Sequence, residues 1–151
     1  AFRYDTLGTR RPVGPATADF ATMRGTVYKA IKLDGYALRW RDGGGDYRPD
    51  FQTRATLSLE TRWLSRFPSG SFGIVAGVTH EYRGAVRFPT AGGSQVAAPS
   101  RPLSTLVELR LLNAVISWQF RNTVGEIYES VPGFGQPQRA NIYGVRWDFW
   151  N

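Results

Sequence analysis

The residue types that most often carry out catalysis are sparse in this sequence. It has one histidine, His80, and no cysteine, so it offers neither a thiolate nucleophile nor a cluster of histidine ligands. Asp42 and Asp46 flank three glycines, but the segment lacks the regular ligand spacing and the bidentate glutamate of a calcium loop. Gly133-Phe134-Gly135 does not lie between a strand and a helix, as a phosphate-binding loop would. The sequence therefore predicts a non-enzymatic protein without a metal or other cofactor.

Polar side chains, several of them charged, instead recur at every second position. Between residues 54 and 62 they alternate with Ala55, Leu57 and Leu59, which predicts a strand with one polar and one apolar face. Such alternation is typical of a barrel strand that faces lipid outside and water inside. The candidates for the water-filled lumen are Arg39, Arg54, Glu60, Arg62, Glu108, Arg110, Gln119, Arg121 and Arg146. They either contact a ligand in the lumen or pair with one another across strands.

The composition fits a turn-rich β-protein. Aromatic residues make up 14% of the 151 residues and glycine occurs 17 times, and no apolar run approaches the roughly 20 residues of a membrane helix. The net charge of +7 comes almost wholly from arginine, since Lys29 and Lys32 are the only lysines. This charge leaves open a soluble β-protein that binds single-stranded nucleic acid through arginine and aromatic side chains. The membrane interpretation, which we favour, predicts no nucleic-acid partner.

Turn signals divide the chain into about seven strands without a helix. Asp34-Gly35 predicts a type I′ turn with Leu33 opposite Tyr36, and Leu112-Asn113 and residues 65–71 predict two further short turns. Residues 5–20, 42–52, 84–102 and 123–139 form long connections. Short turns alternating with long loops are typical of outer-membrane barrels, with periplasmic turns and extracellular loops. We therefore predict one all-β segment over 1–151. Its about seven or eight antiparallel, up-and-down transmembrane strands would form part of a larger barrel.

Aromatic side chains lie near the predicted strand ends, where the girdles of a membrane barrel belong. The alternative is that these rings form the core of a soluble β-sandwich or barrel. The predicted girdle residues are Tyr36, Trp63 and Phe72 near the short turns, and Tyr82, Phe120 and Tyr143 at the other end.

Residues 107–151 resemble the C-terminal end of TonB-dependent outer-membrane receptors. The matching features are Arg121-Asn122, Tyr128, residues 131–134 (VPGF), residues 137–139 (PQR) and an aromatic closing strand. The resemblance implies energised uptake of an unknown small ligand across the bacterial outer membrane, with a plug domain and TonB as partners. It also implies a C-terminal signal for the barrel-assembly machinery, formed by Tyr143, Val145, Trp147 and Phe149. Ending the signal on Trp150 instead would shift the register by one residue.

Two further expectations follow from the membrane interpretation. The chain carries no plug domain, so we expect it to be the C-terminal portion of a receptor barrel. The alternative is that the chain forms a small self-contained outer-membrane barrel, which acts as a passive channel, an adhesin or a structural protein. The next expectation concerns the partners of either barrel. Its partners would be outer-membrane lipid and lipopolysaccharide, whose phosphates suit arginine. The loop arginines available for this contact are Arg10, Arg11, Arg48, Arg83, Arg87 and Arg101.

Overall fold

The structure, a computed structural model, describes residues 16–41 and 43–149, together with the backbone of two short strands near the N-terminus. The described part is built from β-strands and turns, and no helix in it is long and apolar enough to cross a membrane. The strands are β1 (Phe2–Tyr4), β2 (Arg10–Pro12), β3 (Ala18–Tyr28), β4 (Ile31–Trp40), β5 (Phe51–Thr61), β6 (Phe72–Arg83), β7 (Val86–Thr90), β8 (Gly93–Ala97), β9 (Leu103–Leu111), β10 (Ala114–Arg121), β11 (Glu129–Val131), β12 (Phe134–Gly135) and β13 (Ala140–Trp147).

Seven strands form one antiparallel sheet in the order β13-β10-β9-β6-β5-β4-β3. The pairs β1–β2, β7–β8 and β11–β12 form three separate two-stranded sheets. The predicted all-β, antiparallel fold is therefore confirmed. In the described residues β3 and β13 are the two edges of the large sheet.

The two faces of the large sheet differ in chemistry because side chains alternate along each strand and directly opposed residues share a face. Leu57 lies opposite Leu33 and Val78, whereas Arg54 lies opposite Tyr36 and Glu81. The face that contains Leu57, here called the apolar face, also carries Met23, Ile31, Leu59, Ile74, Ala76, Val107, Leu109, Ile116, Trp118, Val145 and Trp147. The face that contains Arg54 is here called the polar face.

The apolar face is not covered by a second layer within the described residues. Leu57 is 49% exposed, Trp147 58% and Val145 73%, and Tyr143 is exposed as well. In the described part of the chain, the buried hydrophobic side chains are limited to Val86, Ala97 and Ala114. A soluble sandwich would instead bury such a face against another sheet.

The predicted turn at Asp34-Gly35 is wrong. The turn between β3 and β4 lies at Lys29–Ala30, with Lys29 in the left-handed region at φ 47°, and β4 runs straight through residues 34 and 35. Asp34 forms an ion pair with Arg24 of β3. At Gly35 an added Cβ would lie 2.8 Å from the Arg54 carbonyl oxygen, so glycine here permits a close approach of two strands rather than a turn.

Two predicted placements change as a consequence, because the alternation continues through residues 34 and 35 without a reversal. Tyr36 lies opposite Thr22 and Arg54 on the polar face, so its assignment to the apolar girdle is wrong. Arg39 lies opposite Phe51 and Asp19 on the apolar face, so its assignment to the lumen side is wrong as well.

The connections alternate in length, with one exception. Lys29–Ala30 and Leu112–Asn113 are tight turns at one end of the sheet, but residues 62–71 at the same end form a longer connection. At the opposite end, residues 84–102 and 122–139 are the longest connections between strands of the large sheet and contain the hairpins β7–β8 and β11–β12. This end is here called the long-loop end.

Candidate functional site

The polar face carries most of the charged residues proposed from the sequence. Arg62 follows directly after β5 and lines a small cavity together with Glu60. The other sequence-derived candidates that the alternation places on this face are Arg54, Glu60, Glu108, Arg110, Gln119, Arg121 and Arg146.

A chain of ion pairs runs across the polar face from β4 to β9. The Lys32 ammonium lies 2.8 Å from Glu60, Arg110 lies 3.7 Å from the same carboxylate, and its guanidinium also lies 3.5 Å from Glu108. β6 separates Glu60 from Arg110, and Gly73 of β6 lies opposite Arg110. A Cβ at Gly73 would be in ordinary van der Waals contact with Arg110 side-chain carbons at 3.5 and 3.7 Å, so the Arg110 side chain passes close to β6 at this residue.

The side chains of these ion pairs are partly exposed, as expected for charges on a solvated surface rather than in a protein core. Arg54 lies 3.4 Å from Glu81, and the hydroxyls of Thr56 and Thr79 are 2.9 Å apart. Pairs with this exposure contribute little to stability, because water screens their charges. For Arg54 and for the Glu60 chain, cross-strand pairing is the arrangement that the geometry provides.

A cavity of about 450 Å³ lies on the polar face at the long-loop end. Strands β5, β6, β9 and β10 form its floor, and the connection 122–139 folds back over it. Its lining includes both charged and neutral polar side chains: Arg54, Thr79, Glu81, Gln119, Arg121, Asn122, Tyr128 and Gln136. A cavity of this size suits a small molecule.

Asn122 fastens the connection 122–139 to the sheet. It is 3% exposed and adopts φ 50°, a conformation that asparagine tolerates better than most residues. Its Nδ2 donates to the carbonyl oxygens of Glu126 at 2.7 Å and Pro137 at 3.3 Å, and its Oδ1 accepts from the Glu126 amide at 3.0 Å. One side chain therefore joins both ends of the connection.

Tyr128 lines the cavity together with the charged residues Glu81 and Arg121. Burial, together with the carboxylates of Glu81 and Glu126, raises the pKa of the Tyr128 phenol, while Arg121 acts in the opposite direction. The phenol therefore remains a hydrogen-bond donor at neutral pH.

The long connections contact one another and not only the sheet. Arg87 of β7 accepts a hydrogen bond at its carbonyl from the Tyr47 amide at 2.8 Å and forms an ion pair of 3.1 Å with Asp46. On the other side, Arg83 Nη1 donates to the Ser130 carbonyl at 2.9 Å. The Arg101 amide likewise donates to Glu126 Oε2 at 2.8 Å.

The side chains of three loop arginines therefore make contacts within the described part of the chain. The Arg48 guanidinium lies over the Trp40 ring, 4.4 Å from its centroid. Arg87 forms the ion pair and Arg83 the hydrogen bond described above. The side chains of Arg10 and Arg11, and the predicted loop residue Asp42, lie outside the described residues.

Of the five girdle candidates that remain on the apolar side, all but Tyr143 lie toward its two ends. Trp63 and Phe72 lie 6.1 Å apart, and Phe67 stacks on Phe72 at 4.8 Å. Tyr82 contacts the Phe51 ring at 5.9 Å toward the long-loop end. Phe120 lies opposite Asn141, and Tyr143 opposite Trp118, on the same face.

The closing strand presents its aromatic side chains on one face. Tyr143, Val145 and Trp147 lie opposite Trp118, Ile116 and Ala114 of β10. Phe149 follows the strand and is exposed, and Trp150 lies outside the described residues. The role of these residues as an assembly signal stays a prediction.

Sequence reasoning did not identify three residues of the cavity, Glu81, Tyr128 and Gln136, as a group. The available signal for Glu81 was its place on the polar side of β6, opposite Arg54. No local sequence pattern predicts that Gln136 lies next to Tyr128. The two residues are joined by a backbone hydrogen bond, in which the Gln136 N–H donates to the Tyr128 carbonyl oxygen at 2.8 Å.

The described residues contain no group of three histidine, cysteine, aspartate or glutamate side chains that could hold a metal ion. Comparison of the chain with models of protein families, with curated proteins and with solved structures found no match.

Proposed function

We propose that this chain forms part of the wall of an outer-membrane β-barrel of the TonB-dependent receptor type, which takes up a small ligand across the outer membrane. The observation that carries the proposal is the uncovered apolar face, on which Leu57 and Trp147 are about as exposed as the charged residues behind them. Exposed apolar surface of this extent marks an interaction surface rather than a face in contact with water. Lipid is the partner that accepts a whole sheet face without specific contacts.

The polar face supports the same proposal from the other side. In a barrel of this type the inner surface is wet and polar, and half-exposed ion pairs such as Arg54–Glu81 are suited to it. The long connections, with the cavity beneath residues 122–139, would then lie on the extracellular side, where a ligand arrives. The tight turns would lie on the periplasmic side.

The sheet edges favour a larger barrel over the self-contained one. β3 and β13 are long, and in the described residues neither pairs along its outer side. Exposed apolar side chains such as Met23 on β3 and Val145 on β13 make these edges prone to pairing with other strands. Further strands that continue from both edges would complete the ladder.

The test uses the absence of native cysteine, which allows single labels on adjacent residues. Leu57→Cys and Ser58→Cys place a nitroxide label on opposite faces of β5, in the protein reconstituted into lipid vesicles. We expect relaxation of the Leu57 label by oxygen, which partitions into lipid, and relaxation of the Ser58 label by a water-soluble nickel chelate.

Preferential relaxation of the Leu57 label by the nickel chelate would refute the proposal, as would recovery of the native protein in the soluble fraction of cells. For the self-contained alternative, a disulfide between cysteines introduced in β3 and β13 is the discriminating result. If that disulfide forms in the membrane, the chain closes on itself and the larger barrel is excluded.

A further inference from the structure

We propose that the cavity beneath residues 122–139 binds a small polyhydroxylated anion, and that Arg121 holds its carboxylate or phosphate group. This inference deepens the proposed function and rests on it, because a ligand must reach the polar face through water. It assigns a ligand class to the cavity and a role to one side chain.

The charge balance of the cavity depends on Arg121. Arg54 and Glu81 compensate each other at 3.4 Å. Arg121 forms neither an ion pair nor a hydrogen bond through its side chain within the described part of the chain, and it is exposed to the cavity. The lining therefore carries one uncompensated positive charge.

Arginine at this position offers specific chemistry. Its planar guanidinium presents parallel N–H donors that match a carboxylate or a phosphate in a bidentate arrangement. Gln119, two residues before Arg121 on the same face of β10, adds an amide that makes no side-chain hydrogen bond among the described residues. The Tyr128 hydroxyl is a further donor, and the charge of Arg121 influences this phenol electrostatically.

The remaining wall favours a ligand with hydroxyl groups. Thr79 and Gln136 contribute neutral polar atoms, and Glu81 contributes carboxylate oxygens that accept hydrogen bonds from hydroxyls. The volume of about 450 Å³ accommodates a sugar-sized molecule with bound water. Because Asn122 fixes the connection above the floor, the cavity is formed without the ligand.

The experiment compares three probes by calorimetric titration of the protein extracted from outer membranes in detergent. The probes are glucuronate, glucose 6-phosphate and glucose, so that the first two separate a carboxylate from a phosphate and the third lacks the anion. We expect at least one anionic probe to bind about tenfold or more tightly than glucose, since hydrogen bonds to a charged group are stronger than those to a neutral group.

Two arginine variants assign the effect to the cavity. Arg121→Gln is expected to weaken binding of the anionic probe by roughly 10- to 100-fold, the equivalent of one lost charged contact. Arg24→Gln is the matched control, because Arg24 lies on the same face but on β3, away from the cavity, and forms an ion pair with Asp34. Binding by this variant should equal that of the unmodified protein.

Equal binding of all three probes, absence of saturable anion binding, or unchanged anion binding by Arg121→Gln would each overturn the inference. If Arg121→Gln does not assemble, Arg121→Lys, which keeps the charge but loses the bidentate fork, should retain weakened binding; full binding by this variant contradicts the role of the fork. Membrane fractionation of the same cells keeps the two proposals apart. A membrane-embedded protein without anion binding refutes only the ligand assignment, whereas anion binding by a soluble protein refutes the barrel.

Discussion

Replacement of Asn122 by alanine is expected to release the connection 122–139 from the polar face while the large sheet stays folded. The substitution removes three hydrogen bonds that involve Glu126 and Pro137. It also places a residue with a simple Cβ at φ 50°. Both effects act at one point, since Asn122 follows the last residue of β10.

The magnitude follows from these two terms. Each hydrogen bond contributes a net of about 0.5–1.5 kcal/mol, and the long 3.3 Å contact to exposed Pro137 belongs at the low end of that range. Alanine in the left-handed region costs a further 1–2 kcal/mol, roughly. The sum is about 3–5 kcal/mol for docking of the connection. Asn122→Gly loses the hydrogen bonds but not the backbone term, so its loss should be smaller by about 1 kcal/mol.

Hydrogen–deuterium exchange of peptides from residues 122–139 measures this local opening directly. Because about 1.4 kcal/mol corresponds to a factor of ten, Asn122→Ala should accelerate exchange by roughly two to three orders of magnitude, up to the limit of the free connection. Asn141→Ala, an exposed asparagine on the apolar face of β13, is the matched control and should leave the peptides unchanged. Native exchange in both Asn122 variants would refute the role assigned to this side chain.

Three further outcomes are expected. Gly35→Ala should lower the free energy of unfolding in urea by about 1–3 kcal/mol, because its Cβ would lie 2.8 Å from the Arg54 carbonyl oxygen. Gly25→Ala, which adds a Cβ in open space on β3, is the control. Equal effects of the two substitutions would contradict the close approach of the strands at Gly35. Leu112→Gly should raise the urea midpoint by the equivalent of about 1 kcal/mol, since Leu112 has φ 52°, and a lowered midpoint would contradict this turn geometry. In a pH titration followed at 295 nm, the unmodified protein should show an absorbance step centred above pH 10.0 that the Tyr128→Phe variant lacks, because the pKa of the Tyr128 phenol is raised. If the step lost in the variant is centred at or below pH 10.0, the environment described for the phenol is wrong.

The sequence predicts the two faces of the sheet well where the alternation is uninterrupted. In β5, Leu57 and Leu59 fall on one face and Arg54 on the other, because a strand reverses its side chains at each residue. The Leu112–Asn113 turn is also where the sequence predicts it.

The first hairpin shows where local reasoning stops. Asp34-Gly35 has the composition of a type I′ turn, but the turn lies at Lys29–Ala30, which carries no glycine or proline signal. The deciding contacts are tertiary: Asp34 pairs with Arg24 on β3, and Gly35 packs against the backbone of β5. Propensity gives way to these contacts.

The cavity is less predictable than the faces, because its parts come from distant segments. Arg121 belongs to a regular strand and could be placed on the polar side from its neighbours alone. Tyr128 reaches the same cavity only because Asn122 anchors its connection at both ends. The asparagine is visible in the sequence, but its pairing with Glu126 and Pro137 is not.

The two faces of the large sheet differ in polarity, and in the described residues both of its edges are unpaired, which limits how the sheet can be completed. Covering the apolar side with protein would bury Leu57 but leave the edges β3 and β13 with unpaired backbone groups. Extending the sheet in its plane pairs both edges but leaves Leu57 exposed unless lipid lies outside. Closure into a barrel meets both requirements, since it removes every edge and places hydrocarbon on one side and water on the other. We therefore expect the register of β3 and β13 with the strands that pair with them, rather than contacts on either face, to decide whether this chain assembles.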